Sequence, residues 1–355
     1  MKSLGLIFKE LLESEGIDKI GGLHRMRGDD PFQEMAISIL DGKGAIIRLD
    51  EPVKPAWSLD GELVGSSRFV YSPSGHDDTL IGREEIKREL SKYEHPYFII
   101  DLMYWDEHTD KEKRKLALQL NQSYGLIRDY LWGERLVLTW LNKRAESSMH
   151  FPLQRITSFK GPTHKFLAEN GMREAILLDP WAEKDIKPED FISKAFIIGG
   201  IVDKTGNKKG ATPRMGEKLQ ENGIKVKRRR ISLRGDTVGV PDRINLILEI
   251  LLKMIFEDKK MEEAILEVQP YKDARWRLRK ELPKHKIKLG KMVIVEKELF
   301  YEYSRWLNIR WKDFQKVVDD LKFIALEKDE IRKVITKMSS RYWRVMDSSD
   351  VLGEF

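Results

Sequence analysis

Between residues 97 and 256 the chain alternates near-continuous apolar runs with longer segments of helical spacing, and this alternation limits the fold more than any other feature. YFIIDL (97–102), RLVLTW (135–140), EAILL (174–178), 195–198 and 224–231 have the length and content of strands. Residues 111–124, 165–170, 212–222 and 240–256 have helical spacing, the last with Ile244, Ile247, Leu248, Leu251 and Ile255 at i, i+3, i+4 and i+7. Strands apolar along their whole length are covered on both faces. The pattern therefore predicts an α/β fold with a parallel sheet between helical layers.

The flanks read differently and suggest three domains, 1–92, 93–258 and 259–355. In the first, 4–12 has an amphipathic helical pattern, and 84–90 is a short helix. Residues 35–40 and 44–49 look like strands joined at Asp41-Gly42, a hairpin signal. This predicts an α+β unit in which no motif carries chemistry. Beyond residue 259 the chain turns basic, then shows helical spacing over 300–307, 311–326 and 330–346, which predicts a small helical domain.

Charge is distributed unevenly. Residues 204–230 hold ten Lys/Arg against two acids, and 271–291 hold nine against two. The net charge of +6 is the balance of +15 in these stretches and −9 elsewhere. Such concentration points to a polyanion partner ahead of a merely solvated face. The chain has no cysteine, which excludes disulfides, thiolate metal sites and cysteine nucleophiles. The seven histidines show no metal-ligand spacing, so no metal is expected. The opening MKSLGLIFKELLESEGID has no long apolar run, and no stretch reaches the length of a membrane span; a cytoplasmic protein is expected.

Ligands of open parallel sheets bind at the carboxyl ends of strands. Two such ends stand out, Leu177-Leu178-Asp179-Pro180 and Gly199-Gly200-Ile201-Val202-Asp203, together with the segment 236–242 (DTVGVPD) before the long helix. Glycine there permits close approach of backbone to a ligand, although each segment alone reads first as a turn. No G-x-G-x-x-G follows a strand and no P-loop spacing occurs, which argues against dinucleotide oxidoreductases and P-loop NTPases.

FIIGGIVDKTGNKKGAT (196–212) followed by VPDRINLILEILL (240–252), with YFIIDL, QSYG (122–125) and LLDP in support, resembles the tRNA position-9 purine N1-methyltransferase family of the SPOUT superfamily, in its archaeal branch. The resemblance runs from about 97 to 256 and is looser in the flanks. It implies a SPOUT-type parallel sheet ending in a C-terminal trefoil knot, with loops 178–183, 199–206 and 231–242. It implies S-adenosylmethionine as cofactor, held by Leu178, Gly199, Gly200, Lys204, Ile231, Val238, Gly239 and Val240. It also implies tRNA as partner and a monomer as the working form. Asp203 is then the candidate base, with Asp179 and Asp242 as further carboxylates of the same pocket.

Candidate phosphate contacts are Lys208, Lys209, Lys227, Arg228, Arg229 and Arg230 on the core, and Arg275, Arg277 and Arg279 beyond it. Trp276 reads first as a core residue of the C-terminal domain and second as a stacking platform for a base. Adenine is the expected target, with guanine or both bases as the alternative. Two other readings are a non-catalytic tRNA chaperone using the same surface and a doubly wound methyltransferase with another RNA target.

Overall fold

The computed structural model describes residues 1–22, 30–73, 78–203, 208, 210–235 and 243–337. Two compact units divide the chain: 1–231 with 242–259, and 232–241 with 260–355.

The larger unit contains the expected parallel sheet. Its strand order is Lys225–Arg229, Glu174–Leu178, Ala195–Gly199, Tyr97–Asp101, Leu136–Thr139, Thr157–Ser158. Every pairing in it is parallel. Ile99, Val137, Leu177 and Ile197 bury one face against Phe166 and Leu167 of helix Thr163–Glu169 and Met215 and Leu219 of helix Ala211–Glu221. Phe98, Ile100, Leu136, Leu138, Phe196 and Ile198, which alternate with these, are equally buried. Helix Asp110–Arg128 contacts strand Leu136–Thr139 and packs with helix Ile244–Phe256, whose first amide donates to the buried Gln119 Oε1 at 2.8 Å.

Two neighbouring strands of this sheet send their connections in opposite directions. From Tyr97–Asp101 the chain moves outward to Leu136–Thr139 and Thr157–Ser158. From Ala195–Gly199, its immediate neighbour, it moves the other way, to Lys225–Arg229 beyond Glu174–Leu178. Neighbouring strands whose connections part in opposite directions leave a crevice at their carboxyl ends. Asp101 and Gly199-Gly200 stand there.

The N-terminal part of this unit is a six-stranded mixed sheet with helices Leu4–Ser14, Pro31–Leu40 and Arg83–Leu90. Residues 35–40, expected as a strand, are helical. Asp30 caps the helix by accepting from the Phe32 amide at 3.0 Å, and Pro31 fills its first position. Phe32, Met35, Ala36 and Ile39 then fall on one buried stripe, a 3.6 period that six residues are too few to display. Gln33, 5% exposed, ties this layer to the core: its Oε1 accepts from the Gly5 amide at 2.6 Å and its Nε2 donates to the Arg128 and Leu131 carbonyls at 2.8 and 2.9 Å.

The smaller unit is not wholly helical as expected. Helices Met261–Val268, Tyr271–Glu281, Leu299–Ser304 and Trp311–Asp320 accompany a three-stranded sheet of Ile287–Leu289, Met292–Glu296 and Ile324–Leu326. Gly290 takes φ 61° and turns the first two strands into a hairpin. The helix from 311 stops at Asp320, and Lys322 at φ 58° redirects the chain into a strand parallel to Met292–Glu296.

Candidate active site at the switch point

The strand Ala195–Gly199 ends against its neighbour. The Gly200 amide donates to the Asp101 carbonyl at 2.8 Å. A Cβ at Gly200 would come within 2.7 Å of that oxygen and of Leu102 Cδ2, so only glycine lets the chain cross here without displacing backbone. Beneath the crossing lies a buried polar chain: Thr163 Oγ1 donates to Asp101 Oδ2 at 2.6 Å, Thr139 Oγ1 meets Thr163 Oγ1 at 2.6 Å, and the Met103 amide donates to Asp101 Oδ1 at 2.8 Å. Burial pushes the Asp101 carboxyl above its ordinary range, against the opposing pull of these hydrogen bonds and of Lys218.

Three residues past the crossing, Asp203 is exposed, and its Oδ2 accepts from the Lys208 amide at 3.0 Å. A solvent-facing carboxylate at a sheet's switch point can accept a proton from a ligand or orient an amine.

The other expected carboxylates are placed differently. Asp179 is 1% exposed; it accepts from the Trp181 amide at 2.9 Å and from Arg228 Nε at 2.7 Å. The next two arginines repeat this pairing, Arg229 with Asp190 at 2.7 Å and Arg230 with Asp185 at 2.6 Å. Three consecutive arginines of one edge thus grip the segment that follows strand Glu174–Leu178. Asp242 lies outside the described residues, as do Lys204, Lys209, Val238, Gly239 and Val240. Of the cofactor candidates that are described, Leu178 and Ile231 are each 7% exposed, and Gly199 pairs with Asp101 across the sheet. Gly200 is the residue whose surroundings fit a close backbone approach.

The candidate RNA contacts are largely engaged within the protein. Lys208 is buried, its ammonium 3.1 Å from Glu112. Lys227 lies 3.7 Å from Glu174. In the smaller unit Arg277 is buried, Arg275 pairs with Asp313 at 2.5 Å, and Arg279 pairs with Asp320. Trp276, expected first as core, is 49% exposed with the Lys280 ammonium 5.8 Å from its ring centre, because Ala274 and Leu278 take the inward face of its helix. Sequence reasoning missed His108, Glu112 and Trp140. Trp140 is exposed at the carboxyl end of Leu136–Thr139 with φ 55°, a backbone region that bulky residues rarely take. Thr109-x-x-Glu112 was readable as a helix-capping box.

The parallel sheet, with its crossing glycine and carboxylate at the switch point, makes this an α/β protein with a candidate ligand site at the carboxyl ends of its strands. Three family profiles match: the tRNA (guanine(9)-/adenine(9)-N1)-methyltransferase N domain over 5–89, its C domain over 275–351, and tRNA (guanine(9)-N(1))-methyltransferase TRM10/TRM10A over 73–274. The chain belongs to this family of tRNA position-9 N1-methyltransferases. It is 51% identical over 340 residues to the tRNA (guanine(9)-/adenine(9)-N1)-methyltransferase of Thermococcus kodakarensis, covering 93% of this chain and 91% of the relative. It is 28% identical over 318 residues to the tRNA (adenine(9)-N1)-methyltransferase of Sulfolobus acidocaldarius, covering 86% and 94%. The solved structure of Sulfolobus acidocaldarius Trm10 in complex with S-adenosylhomocysteine matches the fold with a TM-score of 0.63 at 24% identity, covering 90% of this chain and 100% of that one.

Proposed function

We propose that this chain transfers a methyl group from S-adenosylmethionine to N1 of adenine at position 9 of tRNA, with Asp203 as the group that meets the base. The observation that carries this reading is the switch point itself, where Gly200 crosses Asp101 and leaves the Asp203 carboxylate exposed three residues after the crossing. The bound cofactor supplies an electrophilic methyl group. Leu178, Gly199, Gly200 and Ile231 are the described residues whose backbone would hold it, with Lys204, Val238, Gly239 and Val240 completing the cradle. The same reading includes a trefoil knot formed by 178–183, 199–206 and 231–242, a monomeric working form, a cytoplasmic setting and RNA contacts from the flanking parts 1–92 and 259–355.

Asp203 has a different task for each purine. Guanine N1 carries a proton, which the carboxylate takes as the N1–methyl bond forms. Adenine N1 has a free lone pair, so the product is a cation and no proton need leave; the carboxylate then orients the exocyclic amine. A second reading, methylation of both purines, is favoured by the activity named for the Thermococcus relative. Single-turnover rates on two transcripts that differ only at position 9, measured across pH with wild type and Asp203→Asn, decide between them. Adenine specificity predicts methylation of the A9 transcript, weak pH dependence above neutrality and a loss of about tenfold to a hundredfold in Asp203→Asn. Methylation of the G9 transcript alone overturns the adenine reading. A silent Asp203→Asn on both transcripts removes Asp203 from the reaction.

A further inference from the structure

The segment that carries Asp203 is held by residues distant in sequence. The Val202 amide donates to His108 Nε2 at 2.9 Å, across 94 positions of chain. His108 is 4% exposed and directly precedes Thr109, the N-cap of helix Asp110–Arg128. On the other flank the Lys208 amide donates to Asp203 Oδ2 at 3.0 Å, while the Lys208 ammonium meets Glu112 Oε2 at 3.1 Å. Glu112 is 1% exposed, and the same oxygen accepts from the Thr109 amide at 3.0 Å. One helix start therefore grips the chain on both sides of Asp203.

The chemistry of each grip is specific. To accept from Val202, Nε2 of His108 must be unprotonated, so the ring is neutral with its proton on Nδ1. Burial favours that state and holds the imidazole below its ordinary pKa, as does the charge of Lys208 from the neighbouring loop. The Tyr104 and Trp105 backbone and the charge of Glu112 act the other way. On the Glu112 side, a buried ammonium left without its carboxylate leaves the interior, and the backbone of Lys208 moves with it.

We propose that His108 and Glu112 are positioning residues for methyl transfer, fixing the Asp203 carboxylate through the Val202 amide and through Lys208. This rests on Asp203 being the group that meets the base. A misplacement of about 1 Å at a reacting group costs on the order of a hundredfold in rate. A leucine at 108 has a side chain of similar bulk and lacks the acceptor for the Val202 amide.

The test compares wild type with His108→Leu, His108→Gln, Glu112→Gln, Asp203→Asn and the double variant His108→Leu/Asp203→Asn. Single-turnover methylation is followed from about pH 5 to 8 on whichever position-9 transcript Asp203→Asn slows more, with thermal melts alongside. His108→Leu is expected to slow the step about tenfold to a hundredfold with tRNA KM unchanged. His108→Gln keeps an acceptor that cannot be protonated. It should restore the neutral rate, and its rate should fall at lower pH than the wild-type rate does. The double variant should be no slower than Asp203→Asn alone. Multiplying effects, a wild-type rate in His108→Leu, or an acid limb unchanged in His108→Gln each overturn the proposal. If His108→Leu does not fold, Glu112→Gln carries the test. It retains the capping acceptor and removes only the charge, and a wild-type rate there is equally decisive against. A silent Asp203→Asn overturns the reading of Asp203 itself, and is told apart because it needs no histidine variant to be seen.

Discussion

Gly200 and Asp101 meet backbone to backbone, the amide of one donating to the carbonyl of the other at 2.8 Å, at the ends of two neighbouring strands whose connections part in opposite directions. The space around Gly200 leaves no room for a methyl group. Gly200→Ala is therefore expected to displace the crossing, with a stability loss of about 1–3 kcal/mol and weaker binding of S-adenosylhomocysteine. Calorimetric titration together with thermal melts checks it. Wild-type affinity in Gly200→Ala would remove the glycine from the cofactor cradle.

Asp101 makes a pH-dependent contribution whose sign follows from its environment. Burial raises the carboxyl's pKa above that of the unfolded chain. The native state thus holds this proton to higher pH, and the associated stability is fully present below the unfolded pKa and is lost as pH rises through the folded value. Asp101→Asn keeps an acceptor for Met103 and a donor toward Thr163 but cannot ionise. The Tm of Asp101→Asn relative to wild type should climb from pH 4 to pH 8. A difference that stays level with pH would show that Asp101 is not strained by ionisation.

Gln33 satisfies one amide and two carbonyls, all through one buried side chain. Gln33→Leu has similar bulk and no polar atoms, leaving three backbone groups unpaired. The expected loss is about 1–3 kcal/mol for each group that water cannot reach, read by denaturant titration. A variant as stable as wild type would mean that solvent replaces all three bonds.

The basic stretch beyond residue 270 divides into two kinds of arginine. Arg277 is buried, so Arg277→Ala should lower stability, by about 0.5–3 kcal/mol. Arg279 is 37% exposed and paired with Asp320. Arg279→Ala should leave the fold intact and reduce the slope of log tRNA affinity against log salt by about one. Asp320→Asn, which frees Arg279, should steepen it. Identical slopes in all three proteins would place the RNA contacts elsewhere.

Most of the core sheet was legible because its strands are apolar on both faces, a pattern that survives without knowledge of neighbours. The switch point was legible as GGIVDK only through its resemblance to a known family, since a glycine pair at a strand end reads by itself as a turn. Residues 35–40 misled because six apolar-rich residues display neither a period of 2 nor one of 3.6, and the informative Asp30-Pro31 lay just upstream. The hairpin around Gly290 was hidden by the lysines that dominate its composition, although IKLGKMVIVE alternates about a glycine turn. His108 and Glu112 could not be read, since what matters about them is contact with residues 94 and 96 positions away.

The strand Lys225–Arg229 has a consequence unrelated to nucleic acid. Among the described residues it is the outermost strand on that side of the parallel sheet, and four of its five residues are cationic. An uncovered edge is a template onto which another chain's strand can add, the first step of fibril growth. Here the side chains at the seam are already paired with acids of their own chain, Lys227 with Glu174, Arg228 with Asp179 and Arg229 with Asp190. The opposite edge, Thr157–Ser158, is only two residues long and offers little to pair with. The sheet thus offers a second copy one end whose charged side chains are committed to pairs within their own chain and another too short to pair, which disfavours self-addition through either edge.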